Sequence, residues 1–151
     1  MSRYSGNGNG AVGTDKTLIN LFNVATASQR ARIYEFIVGC AATPGDQASQ
    51  FVLQRTTAVG TEGSGLVPAP LDPADGVSTY DFGLGVFGAE PTYTAAKVMV
   101  AFALHQRNTF RWVAMPGSEI VLPITDSNGA GIKSTTGTGT ASHNACILFE
   151  E

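Results

Sequence analysis

The sequence predicts an all-β protein, an antiparallel two-sheet β-sandwich of jelly-roll-like connectivity. Three observations predict it. Charged residues make up only 14 % of the chain, against about a quarter in ordinary soluble domains. Glycine is frequent, at 18 residues, as a turn-rich β protein requires. Apolar side chains recur at every second position in short runs, which is the period of a half-buried strand rather than of a helix. A chain of 151 residues suffices for one domain with a sizeable core.

In chain order, residues 1–15 are expected to form a flexible arm ahead of a domain over residues 16–151. Gly6, Asn7, Gly8, Asn9 and Gly10 are costly to order and offer little to pack. Gly8, Gly10 and Gly13 match the dinucleotide-binding glycine spacing. The expected element order provides neither a strand before them nor an apolar helix after, so the phosphate-cradling geometry is missing.

Strands are expected over residues 17–24, 32–40 and 51–57. In the second, Tyr34, Phe36, Val38 and Cys40 share one face, with Ile33, Glu35 and Ile37 on the other. Pro44, Gly45 and Asp46 signal a turn, followed by a short helical turn over 46–49. In the third strand Phe51 and Leu53 oppose Gln54 and Thr56.

Residues 59–76 are glycine- and proline-rich and read as irregular, with an edge segment over 66–71, where proline is tolerated. A glycine-interrupted strand follows over 77–87. The most regular stretch is the pair 98–104 and 109–114. Val98, Val100, Phe102 and Leu104 alternate with Lys97, Met99, Ala101 and Ala103, and the pattern resumes with Phe110, Trp112 and Ala114. Two such runs across a short polar segment predict an antiparallel hairpin. The single tryptophan on it is expected to supply much of the core. Short strands over 119–124 and 132–134, a Gly/Thr turn over 135–140 and a closing strand over 143–150 complete a count of about eight or nine strands.

The chemistry is defined by what is missing. There is no G-x-S-x-G elbow, P-loop, H-E-x-x-H or C-x-x-C in the chain, so no catalytic residue, metal ligand or cofactor is assigned. His105 and His143 are expected to face solvent. Cys40 and Cys146 are expected to be buried reduced thiols. Asp72, Asp75 and Asp81 lack the spacing of a calcium loop. Glu35 and Glu119, carboxylates on apolar strands, are read as outer-face positions. A net charge of -3 without a Lys/Arg cluster argues against nucleic-acid binding. With no apolar leader and no run of about 20 apolar residues, a soluble chain made in the cytoplasm is expected.

Several blocks are similar to small β-sandwich proteins encoded in the structural gene clusters of tailed bacteriophages. They are Arg32-Ile33-Tyr34-Glu35-Phe36, Leu53-Gln54-Arg55-Thr56-Thr57, Leu71-Asp72-Pro73-Ala74-Asp75, Glu90-Pro91-Thr92-Tyr93 and, above all, Gln106-Arg107-Asn108-Thr109-Phe110-Arg111-Trp112-Val113-Ala114 with Pro116-Gly117. The resemblance spans about residues 17–151. It implies a non-enzymatic capsid decoration, or cement, protein. Such proteins sit on the outer capsid surface of the virion, commonly as homotrimers, and clamp adjoining major capsid subunits. The implied partners are the major capsid protein and further copies of this chain. Arg3, Tyr4, Asn7 and Asn9 in the arm are the candidate contacts with the capsid or a neighbouring subunit. The alternative is a receptor- or carbohydrate-binding jelly-roll module of a phage tail or fibre, with Tyr4, Tyr80 or Tyr93 stacking on sugar rings.

Overall fold

The structure is a computed structural model that describes residues 1–24, 29–137 and 141–151. Twelve strands and no helix occur among the described residues, in two antiparallel sheets packed face to face. The expected β-sandwich is therefore present. The strands are β1 (Arg3–Ala11), β2 (Lys16–Asn23), β3 (Arg32–Ala42), β4 (Ala48–Ala58), β5 (Ser64–Leu66), β6 (Ala69–Pro70), β7 (Tyr80–Leu84), β8 (Thr92–His105), β9 (Thr109–Val113), β10 (Ile120–Val121), β11 (Gly129–Thr136) and β12 (Ser142–Glu150). Sheet A runs β10-β3-β12-β1-β6, with β9 on the same edge of β3 as β10. Sheet B runs β5-β7-β2-β11-β4-β8. The core lies between them, with Leu21, Phe51, Leu53, Phe82 and Ile132 from sheet B against Ile33, Phe36, Val38, Ile147 and Phe149 from sheet A.

The largest departure from expectation is at the N-terminus. Residues 3–11 are not a free arm but a strand inside sheet A, paired with β12 from Arg3↔Glu150 to Ala11↔Ser142 and with β6 on its other edge. The glycines explain it. Gly6, Gly8 and Gly10 all point inward, at strand period two. A Cβ on Gly6 would overlap the Phe82 ring, and one on Gly8 would lie 2.5 Å from the Leu18 carbonyl oxygen. The missing side chains let β1 approach sheet B closely, which repays the entropy of ordering them.

The expected central hairpin is the second correction. β8 pairs with β4 at the edge of sheet B, whereas β9 pairs with β3 in sheet A. The turn between them carries the chain from one sheet to the other and is closed by Asn108 N–H donating to the His105 carbonyl at 2.8 Å. Gln106, buried in this turn, accepts from Gly45 N–H at 2.8 Å and donates to Ser49 Oγ at 3.2 Å. The two strands still meet through their side chains. Phe102 and Phe110 stack with centroids 4.1 Å apart, and Phe36 touches both Phe102 and Trp112. Trp112 is only half-buried, because it closes the side of the sandwich rather than filling its centre.

Smaller differences have local causes. Tyr34 was expected to share a face with Phe36, and Ile33 the other, but the β3–β12 register shifts between Leu148 and Phe149, so Ile33 turns in with Phe36 and is fully buried. Residues 46–49 form no helical turn, since β4 already begins at Ala48. The brief strand expected over 132–134 is the middle of β11, held on both sides by β2 and β4. The Gly/Thr turn expected over 135–140 lies partly outside the described residues. The closing strand matches its expectation, with Ala145, Ile147 and Phe149 all buried.

His143 was expected at the surface and is instead fully buried, its ring 5.1 Å from that of Phe51. Neither ring nitrogen has a partner among the described residues. Burial holds its pKa below the usual imidazole value. The folded state thus resists taking up a proton that the unfolded chain accepts below about pH 6.5. Its contribution is intact above that pH and is lost as pH falls toward the lowered folded-state value. Replacing the ring by an apolar side chain removes an unmet polar demand, so His143→Leu is expected to stabilise the fold by about 1 kcal/mol. Thermal melts from pH 7.5 to 5 check both points. The variant should melt higher than the parent, and the gap should widen as pH falls.

Candidate functional site

The outer faces of the two sheets are treated differently, and that difference locates the site. Residues 59–63 leave β4 and cross the outer side of sheet B toward β5. Residues 85–91 return beside them from β7 to β8, joined through the Thr61–Ala89 bridge and by Gly88 N–H donating to the Thr61 carbonyl at 2.7 Å. This pair roofs the part of the sheet around β7 and β2, while Gln50, Ala101 and Ala103 toward the β8 edge stay exposed. Asn20, Gln54 and Thr56, which strand alternation places outward, are buried, Gln54 donating to the Thr94 carbonyl at 2.7 Å and Thr56 to Asn20 Oδ1 at 3.0 Å. Tyr93 lies over Gly131, where a Cβ would fall 2.5 Å from its hydroxyl. That hydroxyl shares a 2.9 Å hydrogen bond with Thr17 Oγ1, and burial pushes the phenol pKa up. Lys133 Nζ sits 4.5 Å from the Tyr93 ring centroid and pairs with Asp15 at 2.7 Å. Glu62 closes over Gly83, and burial first, then the Asp81 charge, raises its carboxyl pKa.

Sheet A has no such cover among the described residues. Its outer face is a plane four strands wide, read in rows from the ladder register. One row is Asn9, Asn144, Gly39 and Thr109; the next is Asn7, Cys146, Ile37 and Arg111; the third is Ser5, Leu148, Glu35 and Val113. Small and amide side chains dominate because β1 and β3 present Asn7, Asn9 and Gly39 there. They leave a shallow depression of about 710 Å³ between Asn9, Ile37, Gly39, Thr109 and Asn144. The charges on this plane are matched within it. Arg111 Nε lies 2.6 Å from Glu35 Oε1, and Arg3 reaches both Glu150, at 3.8 Å, and the Tyr34 ring, at 5.7 Å from its centroid. Asn9 Oδ1 accepts from Ser142 Oγ. The plane therefore offers amides and a modest apolar surface with its ion pairs already formed. It suits broad contact with another protein surface better than capture of a single charged ligand.

Of the four contact residues expected from the sequence, Arg3, Asn7 and Asn9 come together on this plane. Tyr4 does not. It points inward, 2 % exposed, stacked on Phe149 at 5.4 Å and donating to the Gly76 carbonyl at 3.1 Å. The sequence reading missed Ile37, Gly39, Asn144 and Thr109. Their period-two spacing was legible, but which strands lie side by side was not.

The remaining candidates are committed elsewhere. Tyr80 is fully buried and its hydroxyl donates to the Pro123 carbonyl at 3.0 Å, so with Tyr4 inside and Tyr93 under the roof, the three tyrosines offered for sugar stacking are engaged in the fold. Glu119 accepts from Gly117 N–H at 3.0 Å, and backbone hydrogen bonds hold its carboxyl below the usual range, unlike a proton donor. Asp72 accepts from Ala74 N–H, and Asp75 accepts from Ser2 Oγ, each at 2.9 Å. Cys40 and Cys146 are free thiols, but half-buried rather than fully buried; burial raises the Cys146 pKa, which keeps it a thiol. His105 lies 3.1 Å from Asp46, half-exposed beside the inter-sheet turn. No described helix is long and apolar enough to cross a membrane. No protein-family model, curated protein or solved structure matches the chain.

Proposed function

We propose that this chain is a non-enzymatic structural protein of a tailed-phage virion, laid by the open plane of sheet A across the boundary between adjacent major capsid subunits. The observation that supports the reading is the contrast between the roofed sheet and the bare one. Covering part of one outer face while leaving the other flat, small-residued and internally charge-paired favours the open face for broad contact. The sequence blocks similar to phage decoration proteins supply the identity of the partner. Attachment would come from amide, backbone and apolar contacts. Each copy binds modestly, and association of copies as a homotrimer about a local threefold axis would convert several modest contacts into firm attachment.

Two measurements test this. Quantitative mass spectrometry of purified particles from the source should give copies of this chain in a simple ratio to the major capsid subunit; its absence from particles overturns the reading. Ile37→Glu places a further carboxylate in the middle of the plane, beside the Arg111–Glu35 pair. It should weaken binding to particles by about tenfold or more while leaving the melting temperature within a few degrees of the parent. Unchanged binding removes the plane as the contact surface.

A further inference from the structure

At the end of the sandwich nearest β10, two cations face a cavity that no carboxylate among the described residues occupies. Arg55 belongs to the inward-facing series of β4 that includes Phe51 and Leu53, and it pairs across the ladder with Ala130, whose small side chain leaves room. A guanidinium on a core-facing position is normally matched by an acid. Five ion pairs occur among the described residues, and Arg55 is in none of them. It is half-buried, and burial lowers its pKa. Arg30, exposed on the segment leading into β3, lines the same cavity and is in none of the five either.

The cavity is about 500 Å³, walled by Val121, Leu122, Pro123 and Ile124. Its walls are fixed in place. The Tyr80 hydroxyl accepts from Ala31 N–H at 3.1 Å and donates to the Pro123 carbonyl at 3.0 Å, tying the Arg30 segment to the wall formed by residues 121–124. Leu122 N–H donates to the Ala31 carbonyl at 2.7 Å. A buried tyrosine thus holds open a space with two guanidiniums and an apolar lining, in a chain whose net charge is -3.

We infer that this cavity binds an organic carboxylate, with the charged end between Arg30 and Arg55 and the non-polar body on Val121, Pro123 and Ile124. A guanidinium presents paired N–H donors that match the two oxygens of a carboxylate, and the apolar walls favour a ligand with a hydrocarbon part over a bare inorganic anion. The carboxylate can belong to a free aliphatic acid or to the C-terminus of a peptide ending in an apolar residue. The inference does not depend on the capsid reading, since none of the residues lining the cavity is in the rows of the sheet A plane.

Titration of the full chain with hexanoate, followed by ¹H–¹⁵N NMR, tests it, with hexanol and hexylamine as controls and acetyl-Leu-Leu as free acid and as amide. Saturable shifts centred on residues 121–125 with hexanoate, and weakening of about tenfold or more in Arg55→Gln, are expected. Arg30→Gln provides the same readout should Arg55→Gln fail to fold, and Arg107→Gln, on the exposed inter-sheet turn, should bind like the parent. Tighter binding of the peptide acid than of hexanoate assigns the site to chain ends, and the reverse assigns it to small acids. Equal binding of hexanol, or no saturable binding of any acid, overturns the inference.

Discussion

Removing residues 1–13 is expected to abolish cooperative folding. The sequence invites the opposite expectation, because a glycine-asparagine segment at a terminus looks dispensable. In the fold it is an interior strand of sheet A, hydrogen-bonded to β12 along its whole length and to β6 on the other side. Its loss withdraws Tyr4, 2 % exposed, and uncovers Phe82, Leu18 and Phe149, which β1 otherwise shields. Removing one buried aromatic side chain costs about 3–5 kcal/mol, and the ladder is lost in addition, against a total stability of about 5–15 kcal/mol for a domain. The truncated chain should give no sigmoidal denaturant transition and a collapsed amide NMR spectrum. A truncated domain that melts like the parent would show that β1 is not integral. The result also bears on function, since such a deletion would destroy binding whatever surface makes the contact.

The second large effect is expected at Gly129. Here β11 runs against β2 and β4 in the middle of sheet B. A Cβ would fall on the Leu21 carbonyl oxygen, with the Leu21 carbonyl carbon and Phe22 Cα each 2.8 Å away. These are backbone atoms of a central strand, so no rotamer change relieves the overlap, and the ladder itself must shift. Gly129→Ala should therefore destabilise by about 3 kcal/mol or more, the upper end of overpacking effects. Gly76→Ala is the matched control. Nothing lies within 4 Å of its Cβ, and its effect should stay within about 0.5 kcal/mol. Denaturant melts of the two variants separate steric occlusion from a general glycine effect; equal destabilisation would dismiss the former.

Those two glycines show where a sequence is legible and where it is not. Alternation located β2, β3, β4 and β12 and the inward faces of β4 and β12, because a side chain's direction along a strand follows from its neighbours in sequence. It could not say which strand lies beside which. The runs on either side of His105 read as a hairpin, yet one joins each sheet, and the Phe102–Phe110 stack that unites them spans the gap between sheets. The glycine series of β1 carried a strand signal in its period of two. That signal was masked because glycine's entropy is visible in the sequence, while the close sheet that needs it is not. Of the open plane, Arg3, Asn7 and Asn9 were identified only as members of the expected arm. Ile37 and Asn144 join them only through the register of three strands distant in sequence. Tyr34 and His143 were misplaced for local reasons, a register shift in one case and a core position at a strand end in the other.

The roof over sheet B gives the molecule a front and a back. On the capsid reading proposed above, a copy that lies down on its bare plane turns the partly roofed side to the solvent, where Asn20, Gln54 and Thr56 are already buried. Stacking of a second copy on that side would then meet an uneven surface instead of a matching plane. Under that reading such molecules would coat a surface as a monolayer of fixed thickness instead of piling into columns, the limit being set by chain topology rather than by how many copies are supplied.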